Sequence, residues 1–166
     1  MVLTKPEILK KLREDVIKIE PFDERAVGPA SVDLTLDNSI RVFDSKGELV
    51  TNETDYKRIS RLVSIEDGYL LKPEELVLGI TVEKITLPEN ICGWLNSRSR
   101  FARIGLMSHI TAPFIAPGVS NKQVLEIFNA GQNRIKLVAG TRICQIVFQE
   151  CKGKAKYEGR FKDQEL

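Results

Sequence analysis

A stretch between Asn96 and Asn129 brings together the residue types that could do chemistry in this chain. Three arginines, Arg98, Arg100 and Arg103, alternate with serines near its start, and Glu126 is its one carboxylate. Guanidinium groups bind phosphate oxygens in a bidentate manner, and short hydroxyl side chains add further donors. A carboxylate inside an apolar strand is suited to proton transfer. The stretch therefore predicts a site for a phosphate-bearing ligand that undergoes acid–base chemistry.

The environment of Glu126 follows from the pattern around it. Residues 123–129 alternate as a strand, which places Val124, Glu126 and Phe128 on one face. Apolar neighbours would take the carboxylate out of water and raise its pKa toward the range useful for proton transfer. The alternative is a buried glutamate that pairs with an arginine only to hold the fold.

The basic cluster and the single histidine each allow two interpretations. Ser99 and Arg103 are four residues apart, so one turn of helix would place them on the same face. That arrangement suits phosphate binding, but a solvated basic turn fits the same residues. His109 lies between apolar residues, where a histidine in the core or at an interface is the ordinary expectation.

Several familiar chemistries lack their residues in this sequence. Zinc-dependent base deaminases need an H-x-E motif with P-C-x-x-C, which one histidine and three scattered cysteines cannot supply. The G-x-S-x-G elbow, the Walker A loop and the G-x-G-x-x-G loop are also missing. What remains is acid–base chemistry by a carboxylate, with arginine and hydroxyl groups in support.

Length and composition predict one globular domain over residues 1–166. The net charge of +2 argues against non-specific nucleic-acid binding. No apolar run approaches the roughly 20 residues of a membrane span, so no membrane association is expected. The odd number of separated cysteines indicates reduced thiols and a cytoplasmic protein.

The elements around the stretch are mostly short strands. A helix is expected after Thr4, with Thr4 and Glu7 as a capping box and Ile8, Leu9 and Leu12 at helical spacing. Strands are expected at 16–19, 31–36, 40–43, 59–63, 69–71, 76–82, 91–95, 123–129, 135–138 and 143–148, with a turn at Asp37-Asn38. Many short strands and one helix, without βα alternation, predict an all-β sandwich or barrel.

The same residues carry a resemblance to a known family. The run that begins Arg98-Ser99-x-Phe101-Ala102-Arg103 continues as Gly105-Leu106-Met107-x-His109-Ile110-Thr111-Ala112, and Pro117-Gly118 and Val124-Leu125-Glu126 follow it. Ile19-Glu20-Pro21-Phe22 and Ser31-Val32-Asp33-Leu34-x-Leu36 fit the same pattern. The chain resembles the dCTP deaminases, which are related to the trimeric dUTPases.

The resemblance implies a mainly β fold, a distorted jelly-roll barrel with one short N-terminal helix, assembled as a homotrimer with nucleotide sites between subunits. It implies deamination of dCTP to dUTP without zinc, with Mg²⁺ on the triphosphate. Glu126 matches the glutamate that shuttles protons, and Ser99 with the Ala112 main chain matches the holder of the attacking water. Arg103 matches an arginine beside that glutamate. The implied substrate-binding residues are Arg98, Arg100, Ala102, Val124, Leu125, Tyr157, Arg160 and Gln164.

Three departures from the family pattern keep other functions open. Ala116 stands where an aspartate is usual, Arg100 replaces a serine, and the tail after Gly159 lacks a second glycine. In dUTPases that aspartate activates water, so Ala116 argues against pyrophosphatase activity. The alternatives are a dUTP pyrophosphatase, a bifunctional enzyme that forms dUMP, and a weakly catalytic nucleotide-binding paralogue.

Overall fold

The computed structural model describes residues 1–44, 46–159, 161–162 and 164–166, and within them the protein is mainly β. Helix α1 spans Lys5–Arg13, helix α2 spans Ser99–Ala102, and two 3₁₀ turns lie at Glu24–Ala26 and Tyr56–Arg58. The strands are β1 Lys18–Glu20, β2 Val32–Phe43, β3 Ser60–Ser64, β4 Tyr69–Leu71, β5 Leu76–Thr86, β6 Ile91–Ser97, β7 Leu106–Met107, β8 Phe114–Ile115, β9 Ser120–Asn129, β10 Ile135–Leu137 and β11 Arg142–Glu150. The predicted mainly β class is confirmed.

Among the described residues, nine strands form one curled antiparallel sheet that carries most of the fold. Its order is β7-β9-β5-β2-β11-β6-β8, with β1 added beside β5 and β3 beside β2. Strands β4 and β10 form a separate pair. The sheet brings β9, which carries Glu126, alongside β5, with Leu78 directly opposite Glu126.

The core follows from two-residue alternation on the long strands. On β2 the residues Val32, Leu34, Leu36, Ile40 and Val42 all point inward and are buried. Strand β11 and helix α1 add further completely buried side chains, Ile146, Phe148 and Ile8. Burial of each such side chain contributes about 1.5–3 kcal/mol, which fixes the register of the strands that carry the site.

Strand β2 is continuous where the sequence predicts a turn. Asp37 and Asn38 lie inside it, at a shift of register between Leu36 and Ile40 in the pairing with β5. The strand pairs with β11 before this point and with β3 after it. Asp37 is held there by the Lys122 ammonium at 2.8 Å. The predicted turn is wrong because the polar pair occupies a bulge, which bends a strand without ending it.

The ends of α1 also differ from the prediction. Thr4 is the N-cap residue but makes no side-chain capping bond, so the predicted capping box is wrong. The first helical N–H, that of Lys5, instead donates to the Pro29 carbonyl at 2.7 Å. Val16 and Ile17 were predicted in a strand, but their N–H groups close the helix end on the Lys11 carbonyl. Strand β1 therefore begins only at Lys18.

Candidate active site

A cavity of about 500 Å³ is bordered by β9, by β8 and the segment before it, and by the chain after β11. Its wall is largely apolar, with a small number of polar side chains that converge on it, as in many ligand sites. The lining residues are Phe43, Tyr56, Leu78, Leu95, His109, Ala112, Phe114, Ile115, Ala116, Val119, Asn121, Gln123, Val124, Glu126, Tyr157, Phe161 and Gln164.

Glu126 is the carboxylate of this cavity, and Thr111 binds both of its oxygens. The Thr111 N–H donates to Oε2 at 2.6 Å, and the Thr111 hydroxyl lies 2.8 Å from each oxygen. The residue is on the partly exposed face of β9, together with Val124 and Phe128. Among the described residues its partners are thus Thr111, the Ile110 main chain and His109, and no arginine pairs with it to hold the fold.

The balance of these contacts lowers the pKa of Glu126. Burial alone acts to raise the pKa of this carboxyl, but the hydrogen bonds from the Thr111 N–H and hydroxyl outweigh it, with smaller contributions from the neighbouring His109 ring and the Ile110 main chain. The prediction of a raised pKa is therefore wrong. Strand alternation shows only the neighbours of Glu126 along β9. The lower pKa of Glu126 comes from residues 109–111, which belong to another segment and contact Glu126 across the fold.

His109 lies next to Glu126 and contacts its main chain. Its Nδ1 accepts a hydrogen bond from the Glu126 main-chain N–H at 3.4 Å, and its ring lines the cavity. Within the described part of the chain, its Nε2 is buried and has no hydrogen-bond partner. The sequence suggested an ordinary core or interface histidine, and the structure instead places it beside the carboxylate that could transfer protons.

Helix α2 carries the basic cluster immediately after β6. The Arg103 N–H bonds the Ser99 carbonyl at 3.1 Å, so the segment is a helical turn, the condition under which Ser99 and Arg103 were expected to share a face. The side chains of Ser99, Arg100, Ala102 and Arg103 are exposed, and none of the four lines the Glu126 cavity. The guanidinium of Arg100 lies over the ring of Phe101, 5.2 Å from its centroid.

Arg98 anchors α2 to the barrel. Its guanidinium pairs with the Asp33 carboxylate at 3.0 Å and donates to the Arg142 carbonyl at 2.6 Å. Burial raises the pKa of Asp33 even though Arg98 and Arg142 oppose that effect. Both of these guanidinium N–H groups of Arg98 are thus engaged inside the protein. The predicted contact of Arg98 with a phosphate stays a prediction.

The chain after β11 closes one side of the cavity. Tyr157 and Gln164 line it, as a site role requires, and Gln164 donates to the Lys122 carbonyl at 2.9 Å. The Asn121 amide donates to the carbonyls of Phe161 and Lys162, each at 3.0 Å. Arg160, the third predicted tail residue, lies outside the described residues.

Asn121 and Gln123 are site residues that the sequence reasoning missed. Both are buried on the inward face of β9, and the Gln123 amide donates to Asn121 Oδ1 at 2.7 Å. Two amides at inward positions of a strand were the available signal, because buried polar groups need partners. Of the other predicted residues, Ala112 and Val124 line the cavity. Leu125 is completely buried in the core, so only its main chain could reach a ligand.

The structure thus divides the predicted residues into two groups. One group meets at the cavity and consists of Glu126, Ala112, Val124, Tyr157 and Gln164, whereas the α2 residues face outward elsewhere.

Within the described residues, no group of three His, Cys, Asp or Glu side chains could hold a metal ion. In the same part of the chain, no helix has the length and apolar character needed to cross a membrane.

Comparison of the fold first defines a class. The chain superposes with a TM-score of 0.71 on the 2'-deoxycytidine 5'-triphosphate deaminase of Agrobacterium tumefaciens, at 23% identity, over 89% of this chain and 46% of that chain. A mutant dUTPase of phage phi11 of S. aureus gives a TM-score of 0.54 at 13% identity, over 87% of this chain and 96% of that one. The fold is therefore dUTPase-like.

The sequence comparison then gives the family. A family model described as dCTP deaminase-like matches residues 2–151, and the chain belongs to that family. A dCTP deaminase of Marinomonas sp. (strain MWYL1) is 41% identical over 167 residues, which cover 93% of this chain and 86% of the relative. A dCTP deaminase, dUMP-forming, of Kocuria rhizophila is 38% identical over 151 residues, covering 89% and 79%.

Proposed function

We propose that this protein is a dCTP deaminase that hydrolyses dCTP to dUTP and ammonia. The observation that carries the proposal is Glu126, an ionised carboxylate at the wall of a largely apolar cavity in a chain of this family. With a lowered pKa, Glu126 is ionised at neutral pH and can accept a proton from water, although it is a weaker base than a carboxylate with a raised pKa would be. Membership of the family and relatives named dCTP deaminase support the choice of substrate.

In the proposed reaction Glu126 acts as general base and then as general acid. It takes a proton from water, the resulting hydroxide attacks C4 of cytosine, and Glu126 passes that proton to N3. Glu126 then takes the proton of the new C4 hydroxyl and delivers it to the amino group, so that the C4–N bond breaks, ammonia leaves and the C4 carbonyl forms. The Thr111 hydroxyl lies 2.8 Å from both oxygens, so its rotation would free one oxygen for water. The Thr111 N–H would continue to orient the other. Acid–base help of this kind contributes about 10²–10⁴-fold to the rate.

The remaining proposed residues come from two subunits of a homotrimer. Ser99 and Arg103 are exposed and lie outside the cavity of their own chain, which supports their action at a neighbouring subunit. There Ser99 and the Ala112 main chain would hold the water, and Arg103 would lie beside Glu126. The further substrate contacts would come from Arg98, Arg100 and Ala102 for the phosphates, Val124 and Leu125 for the base, and Tyr157, Arg160 and Gln164 from the tail.

Mg²⁺ would enter with the triphosphate. This hard cation takes oxygen ligands, whereas the guanidinium groups of α2 suit the phosphate oxygens themselves. The donor set therefore fits a cation held by triphosphate oxygens and water, with arginine neutralising the remaining charge.

We further propose a single domain over residues 1–166, supported by one continuous core. A cytoplasmic location is supported by the free thiols of Cys92, Cys144 and Cys151.

A second candidate is a bifunctional enzyme that continues from dUTP to dUMP. Its support is the name of several relatives, dCTP deaminase, dUMP-forming. The cavity itself favours deamination alone. Ala116 contributes a methyl group to the wall, and Glu126 is the one carboxylate among the lining residues described. A second hydrolysis would then depend on the same carboxylate.

Product analysis separates these functions. The purified protein is incubated with Mg²⁺ and either dCTP or dUTP, and the release of ammonia and pyrophosphate is followed. Ammonia from dCTP without pyrophosphate from either nucleotide is the expected result. Pyrophosphate release from dCTP together with ammonia would establish the bifunctional enzyme. Binding of dCTP with neither product would overturn the proposed activity and leave a nucleotide-binding paralogue.

A further inference from the structure

Cys92 and Cys151 lie on the same face of neighbouring chain segments, away from the cavity. In the antiparallel pair of β6 and β11, Cys92 is opposite Gln149. The pairing continues one residue past β11, because the Cys151 N–H donates to the Asn90 carbonyl at 2.9 Å. Residues two apart on a strand share a face, so Cys92 and Cys151 are diagonal cross-strand neighbours.

The thiols of Cys92 and Cys151 are in contact, and they differ in solvent exposure. Burial, and after it a hydrogen bond with the Cys151 thiol, raises the pKa of the Cys92 thiol to about 11. Cys92 is 4% exposed and also donates to the Gln149 carbonyl at 3.5 Å, whereas Cys151 is half-buried and reachable from solvent. Cys144, the remaining cysteine, is completely buried elsewhere on β11. Its environment raises its thiol pKa strongly, through burial first and then the charges of Glu83 and Asp33.

We propose that Cys92 and Cys151 form an oxidisable dithiol that closes to an intramolecular disulfide with oxidised glutathione as the oxidant. Cys151, the accessible member, loses its proton and attacks one sulfur of oxidised glutathione, and one reduced glutathione leaves. Cys92 then loses its proton and attacks the Cys151 sulfur of the mixed disulfide, which expels the second reduced glutathione. Two electrons and two protons pass from the protein to glutathione, and one protein S–S bond forms.

The position of Cys151 allows the closure. Diagonal neighbours within a ladder have Cα atoms about 7–8 Å apart, somewhat beyond the usual span of a disulfide. Cys151 is the first residue after β11, however, so a shift of its main chain costs at most its own N–H bond to Asn90 and leaves the hydrogen bonds inside the strand intact. The bond would fix the start of the segment that leads to Tyr157 and Gln164 at the cavity. It would also close a long loop, which restricts the unfolded chain.

A thiol count tests the proposal on the folded, full-length protein. Free thiols are titrated in denaturant after incubation with reduced or with oxidised glutathione, and the linked peptides are identified by mass spectrometry. We expect three thiols after reduced glutathione, one after oxidised glutathione, and a Cys92–Cys151 peptide that dithiothreitol separates. The thermal midpoint should rise by about 5–10 °C in the oxidised protein.

Single variants distinguish the pair from other routes. Cys144→Ala should still form the disulfide, Cys92→Ser should retain a glutathione adduct on Cys151, and Cys151→Ser should keep both remaining thiols. Three free thiols after oxidised glutathione, a link that includes Cys144, or a link between two chains would overturn the proposal. The readout involves no nucleotide, so its result is independent of the deaminase proposal.

Discussion

The contact between Thr111 and Glu126 predicts a contribution to stability that depends on pH. Thr111→Val removes the hydroxyl that lies 2.8 Å from both carboxylate oxygens and keeps the main-chain donor at 2.6 Å. A hydrogen bond to a charged group contributes about 1.5–3 kcal/mol, and partial exposure of Glu126 reduces this to about 1 kcal/mol. For a chain of this length, that loss lowers the thermal midpoint by about 2–4 °C at pH 7.

The sign of the pH dependence follows from the lowered pKa of Glu126. A carboxyl whose pKa is lower in the folded state stabilises the fold above its unfolded pKa, and this contribution is lost as pH falls through the folded value. The cost of Thr111→Val should therefore be largest near pH 7 and shrink in acid. Thr86→Val is the matched control, because the Thr86 hydroxyl bonds the neutral hydroxyl of Ser120, at 2.8 Å, and no charged group among the described residues.

Denaturant unfolding of the wild type and both variants, repeated across pH, measures these differences. The Thr86→Val cost should stay constant with pH, and only the Thr111→Val cost should fall. A Thr111→Val cost that is the same at acid and neutral pH would refute the reasoning. So would an unchanged stability at pH 7, because the hydroxyl would then contribute nothing to the charged carboxylate.

Two further predictions concern the assembly and the tail. Ser99→Ala and Glu126→Gln should each be inactive, but subunits mixed in equal amounts and reassembled should recover about a quarter of wild-type ammonia release, because a quarter of intersubunit sites receive both native residues. No recovery in demonstrably mixed trimers would contradict a shared site. Asn121→Ala removes two bonds of 3.0 Å to the tail, together with the oxygen that accepts the Gln123 amide, and should raise the KM for dCTP about 10-fold. Asn133→Ala, an exposed control, should leave the KM unchanged. Equal KM values for the two variants would contradict the role of the tail.

Local pattern was sufficient to predict most of the strands. Alternation on β2 and β11 reflects one buried face, so the periodicity predicted these strands correctly. The spacing of Ser99 and Arg103 is compatible with helix α2 but did not predict it. The turn predicted at Asp37-Asn38 failed because turn residues also occupy bulges. Whether such a pair ends a strand depends on Lys122 and on partners from distant strands, which no local window contains.

The candidate site was predictable in its residue types but not in its arrangement. Glu126 was identified from a carboxylate in an apolar strand, whereas its lowered pKa depends on Thr111 reaching it across the fold. The amides of Asn121 and Gln123 gave a usable signal, namely polar residues at inward positions. The separation of α2 from the cavity had no counterpart in the sequence, because it depends on how β6 and β9 lie in the sheet.

The central claim is that Glu126 transfers the protons of deamination. Its direct test is ammonia release from dCTP by Glu126→Gln, with nucleotide binding measured on the same preparation by calorimetry. The amide keeps the shape of the side chain but cannot accept a proton from water, so ammonia release should fall by at least about 10²-fold while dCTP still binds. Deamination at the wild-type rate by this variant would contradict the account.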